Sequence, residues 1–209
     1  MFQRMLFAGL LSCLTLCAHA QSASPSAPVR VRGTIEHVSP TELVVKDRSG
    51  EVLTLVRPAD MPVSEVLPIR LQDIQVGSFI GSAAMPQADG TQLALEVLVF
   101  PEAARGTGEG HYAWDLQPQS TMTNATVASL ALAPSQMPGG QELLLKYKDG
   151  EKRLLVPAGT PIVTIRAAKQ EETVLLIPGA KVMVVAQLKD GQPTAVRVTV
   201  GRNGFAPPM

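Results

Sequence analysis

Between Gly106 and Val127 the chain reads GTGEGHYAWDLQPQSTMTNATV, and this stretch gathers most of the residues able to do chemistry. It holds the only tryptophan, Trp114, one of the two tyrosines, Tyr112, and His111. Glu109, His111, Asp115 and Met122 offer carboxylate, imidazole and thioether donors, a set that borderline and soft metal ions accept. No paired-histidine spacing organises them. No cofactor is therefore expected, and a metal stands only as an alternative. Tyr112 and Trp114 alternate, so an extended backbone turns both to one side, where they can stack on a flat ligand or plug a seam between domains. The seam is the favoured reading. Thr121, Thr123 and Asn124 follow, with side chains suited to satisfying a turn's backbone or to holding a ligand. His111, Tyr112, Trp114, Asp115, Thr121, Thr123 and Asn124 are thus the candidates for ligand contact. Gly106-Thr107-Gly108-Glu109-Gly110 lacks the GK[ST] ending of a phosphate loop and reads as a hinge. No nucleophile, base and orienting group share a spacing, so the chain reads as a non-enzyme. The rival reading is an acid/base enzyme using Glu109, His111 or Asp115 in the 106–127 loop.

A connection of this length must be positioned by what flanks it. Residues 1–20 read as a secretory signal: Arg4, an apolar run from Met5 to Leu16, and Ala18-His19-Ala20 before cleavage at Gln21. The apolar run is shorter than the ~20 residues that cross a bilayer. Leu10-Leu11-Ser12-Cys13 loosely imitates a lipidation site, so lipidation at Cys13 is the alternative. Both cysteines, Cys13 and Cys17, fall inside this segment, which leaves no thiol for a disulfide or metal site in the mature chain. Of 18 basic and 18 acidic residues only Arg4 is removed, leaving a near-neutral protein without charge blocks. That balance disfavours nucleic acid as a partner. With no later apolar run of membrane length, a soluble periplasmic or secreted protein is expected.

Residues 21–28 are a Ser/Ala/Pro tether. Strand-like alternation of β-branched residues then runs from Val29, punctuated by turns at Ser39–Glu42 and Asp47–Gly50 and stopped at Pro58. Met61 to Ile74 is less periodic and is read as an irregular passage or one short helix. Strands over Phe79–Met85 and Leu93–Phe100 follow, joined at Asp89-Gly90. The second half repeats the pattern: Gly50 with Gly150, Gly77 with Gly179 and Asp89-Gly90 with Asp190-Gly191 lie 100, 102 and 101 residues apart. This near-constant offset predicts an internal duplication.

The stretches VRGTIEHV, VVKDRSGEVLTL, DIQVGSFI and ADGTQLALEVLVFPE, with GEGHY, WDL and STMTNATV, resemble a family of small secreted proteobacterial proteins with OB-like β repeats of unknown function. The resemblance covers essentially the whole mature chain. Relatives prefer Pro where this chain has Ala113 and Gly where it has Gln119. Similar proteins often carry a label tying them to metal ABC transport permeases, which implies an association with metal handling. A permease itself needs several spans that this sequence lacks.

The expected architecture is all-β, with two tandem OB-like five-stranded barrels and a short helix or irregular passage between strands 3 and 4 of each. The boundaries are signal 1–20, tether 21–28, unit 29–102, inter-unit loop 103–124, unit 125–203 and tail 204–209. One larger sandwich is the alternative arrangement. The expected function is a non-catalytic periplasmic binding or interaction module for an unidentified protein or small molecule, with an accessory role in metal handling as the alternative.

Overall fold

A computed structural model describes residues 27–168 and 175–208. The signal, most of the tether and the lipidation question lie outside the described residues. The protein is all-β. β1 (Val29–Val38), β2 (Glu42–Asp47) and β3 (Val52–Val56) form an antiparallel meander. Asp47 ties its hairpin, its Oδ1 accepting from the Ser49 and Glu51 amides, and Gly50 takes the positive φ of 94° that the turn requires. β4 (Val63–Pro68) follows, then β5 (Phe79–Pro86), β6 (Gln92–Ala94) and β7 (Val97–Val99). After the arm strand β8 (Gly110–Ala113), the second half runs through β9 (Thr121–Leu132), β10 (Gln141–Tyr147), β11 (Gly150–Val156), β12 (Ile162–Ala167), β13 (Lys181–Lys189) and β14 (Gln192–Gly201).

The pairing closes two five-stranded rings, and each draws on both halves of the chain. In ring one, β1, β2 and β3 continue through β14 to β13, which pairs back onto β1. In ring two, β9, β10 and β11 continue through β6 to β5, which pairs back onto β9. The contiguous units expected at 29–102 and 125–203 therefore do not close on themselves: each half contributes three strands to one ring and its last strands to the other. A ring is satisfied by any strand with the right alternation and register. β5 and β13 both carry the small-and-branched pattern that fits, so local sequence does not choose between them.

Each ring has its own core. Ile35, Leu43, Val45, Leu55, Val184 and Val198 fill the first, and Ile80, Ala84, Val127, Leu143, Leu145 and Leu154 fill the second. The passages expected to be irregular or helical each hold a strand, and the first also holds one short 3-10 turn, Leu71–Asp73. β4 pairs with β12 antiparallel, Val66 opposite Ile165, and each also runs parallel to a terminal strand, β4 to β14 and β12 to β7. Val66, Leu98 and Val163 form a third apolar cluster there, between the rings. Glu65, wholly buried in β4, meets the guanidinium groups of Arg202 and Arg166. Arg202 first, and then Arg166, hold its carboxyl below the ordinary range against the opposing cost of burial.

Candidate binding site at the seam of the two rings

β9 is longer than the strand it pairs with on one side. Its C-terminal half pairs with β10, and its N-terminal half carries β8 on that same flank, with His111 opposite Thr123 and Tyr112 opposite Met122. β8 is thus an added strand whose outer edge has no neighbour in the sheet among the described residues. The hairpin continues past it, the Trp114 amide donating to the Ser120 carbonyl at 2.8 Å. Ser120 Oγ closes the turn, donating to the carbonyls of Gln117 and Trp114. Gln119 stands in this turn at φ 65°, a left-handed conformation for a residue with a Cβ.

The alternation along β8 sorts the candidates. His111 turns toward ring two, its Nδ1 2.8 Å from Thr123 Oγ1 and its ring stacked on Tyr147 at 6.5 Å. Burial, and to a lesser extent the charge of Lys152, push the imidazole pKa down. Tyr112 turns the other way and stays 38% exposed; burial raises its hydroxyl against the pull of Arg30. Asn124 Nδ2 donates to the Tyr112 hydroxyl and to the Thr107 carbonyl. Thr121 Oγ1 donates to Gln92 Oε1 on β6. Thr121, Thr123 and Asn124 therefore serve to fasten the arm.

The end of the arm reaches ring one. Asp115 accepts from Arg32 Nη2 at 2.7 Å and Arg30 Nη1 at 3.3 Å, both on β1. Arg30 lies over the half-buried Trp114 ring, its Cζ 3.9 Å from the centroid. Burial works to raise the Asp115 carboxyl, but the hydrogen bond and charge of Arg32, joined by Arg30, outweigh it and hold the carboxyl low. Trp114 thus packs where the arm meets ring one, with Tyr112 tilted against it at 6.1 Å. The expectation that both aromatics plug the seam needs correction for Tyr112, which shares the face of Trp114 but stays exposed at the rim, its hydroxyl held by Asn124 on β9 rather than by ring one.

The metal-donor candidates are not brought together. Glu109 Oε1 accepts the Lys148 amide, His111 meets Thr123, Asp115 is held by two arginines, and Met122 is buried. Among the described residues no three His, Cys, Asp or Glu side chains cluster as metal ligands would. The same separation splits the acid/base trio Glu109, His111 and Asp115.

Residues outside the arm complete the site. Arg30, Arg32 and Arg48 line an open cavity of about 230 Å³ with Asp47 and Asp115, against an apolar wall of Val31, Leu53 and Leu116. Behind it, in the bulge between β6 and β7, lies Glu96, 1% exposed, with neither carboxylate oxygen hydrogen-bonded. Burial pushes its pKa up to about 8, opposed by the charges of Arg32 and Arg48. Signals for Arg30, Arg32 and Glu96 were present in the sequence. Arg30-Val31-Arg32 alternates two cations onto one strand face, and Glu96 interrupts the apolar run Leu93–Phe100.

Protein-family models, curated proteins and solved structures offer no match to this chain. Among the described residues no helix is long and apolar enough to cross a membrane.

Proposed function

We propose that the protein is an exported, non-catalytic binding module, cleaved between Ala20 and Gln21 and built from an internally duplicated β pattern. The 106–127 arm completes its binding site in the periplasm or outside the cell. The carrying observation is the clamp of Asp115 on Arg30 and Arg32, by which the arm leaves ring two and becomes a wall of a cavity on ring one. A connection that only joined two domains would need no such anchorage. The cavity combines an apolar wall with a few converging charged groups, the usual composition of a small-molecule site. Separation of Glu109, His111 and Asp115 into unrelated contacts favours binding over acid/base chemistry.

The test is a thermal-shift screen of the mature protein against charged and neutral small metabolites, repeated with Asp115→Asn. At least one compound is expected to raise the midpoint of the wild type, with the rise lost or sharply reduced in the variant. A screen without any stabilising compound, or stabilisation indifferent to Asp115, would overturn the reading.

A further inference from the structure

The charges around the seam cavity do not balance. Three guanidinium groups, those of Arg30, Arg32 and Arg48, face it together with two carboxylates, Asp47 and Asp115. Asp115 is shared between Arg30 and Arg32. Asp47 is turned into its own hairpin, where Ser49 and Glu51 occupy its Oδ1. Arg48 is exposed, and its side chain has no hydrogen bond or ion pair among the described residues. Arg32 is the opposite case: its side chain is 9% exposed and its Nε has no partner. Buried polar groups are normally satisfied, so an orphaned guanidinium nitrogen in a cavity wall marks a site built for more than packing.

Glu96 does not cancel this excess. Its carboxyl is held in the neutral form well past the usual carboxylate range, so at neutral pH the arginines in front of it keep their charge. The cavity therefore offers one net positive charge beside Leu53 and Leu116. At about 230 Å³ it is smaller than the ~300–1,000 Å³ typical of drug-sized ligands.

We propose that this cavity binds a small organic monocarboxylate, its anionic head on Arg48 beside Arg30 and Arg32 and its apolar body against Leu53 and Leu116. Guanidinium groups present planar pairs of donors that match a carboxylate's two oxygens. One net positive charge matches a monoanion better than a phosphate dianion. The apolar wall separates an aromatic or branched acid from acetate, which has little surface to bury there. The proposal deepens the module reading and rests on it, since the arm supplies Asp115 and Leu116 to the cavity.

The experiment is calorimetric titration of the full mature chain with benzoate, acetate, benzamide and inorganic phosphate at pH 7. Saturable benzoate binding is expected, at least tenfold tighter than acetate, with no saturation by neutral benzamide. Arg48→Gln should weaken benzoate at least tenfold without moving the thermal midpoint, because the Arg48 side chain is exposed and makes no hydrogen bond or ion pair among the described residues. Benzamide binding as tightly as benzoate, phosphate binding more tightly, or an unchanged affinity in Arg48→Gln would overturn the proposal. Failure of benzoate while a neutral metabolite still raises the midpoint through Asp115 would overturn the carboxylate assignment and leave the module reading standing. Failure of every compound would overturn both.

Discussion

Glu96 is a buried acid without a hydrogen-bond partner for its carboxylate, and that makes it a measurable feature of stability. Its folded pKa of about 8 lies above the ordinary 4.5, so between those values the folded state holds a proton that the unfolded chain has released. Stability must then fall as pH rises through that window, by roughly 1.4 kcal/mol per unit at most, and level off above it. Glu96→Gln keeps the volume and removes the titration. Its stability relative to wild type, from urea midpoints at pH 5 to 9, is expected to improve steadily up to about pH 8 and then stay constant. A difference independent of pH would show that Glu96 is ionised in the folded protein. At this scale the sequence was half legible. Trp114 and Asp115 stand out by rarity and spacing, and the structure places both at the seam cavity or its edge. Arg48 carries no such mark, because a basic residue in a polar hairpin is what any solvated turn contains.

The arm is the element on which the site depends, and one of its residues works against it. Gln119 adopts a left-handed φ that a Cβ disfavours, in the tight turn returning the chain from Leu116 to Ser120. Glycine occupies that region without the steric penalty. Gln119→Gly is expected to stabilise by roughly 0.5–1 kcal/mol after allowing for glycine's greater chain entropy, a rise of about 1–4 °C in thermal midpoint. A lower midpoint would mean that the Gln119 side chain contributes more than its backbone conformation costs. Strands with one wet face were readable from alternation, as in β1 and β10. β4 and β12 were not, because both of their faces are covered in part in the crowded region between the rings. Buried positions succeed one another there, as at Glu65-Val66 and Ile162-Val163, and the two-residue period disappears.

Across the whole molecule, the two halves of the chain exchange strands, so that neither ring forms from one half alone. β4 and β12, paired at the centre, lie where the chain passes from one ring to the other, and the arm bridges the same seam at the surface. The spacing of the turn signals predicted two like halves. Which half would complete which ring was not legible, because matching strands offer nearly the same register and apolar face to either partner. This exchange is the central claim, since it sets the rings side by side and gives the arm a second ring to reach. Both cysteines, Cys13 and Cys17, precede residue 21, so in a chain beginning at Gln21 an introduced pair reports pairing without competition. Thr34 and Lys181 are direct register partners on β1 and β13, partly exposed and away from the core. In Thr34→Cys with Lys181→Cys, mild oxidation is expected to give a near-quantitative intramolecular disulfide at Cα spacing suited to one. If instead Thr34→Cys cross-links to Phe79→Cys, the residue standing in β5 where Lys181 stands in β13, each half closes on itself and the exchanged-ring account is contradicted.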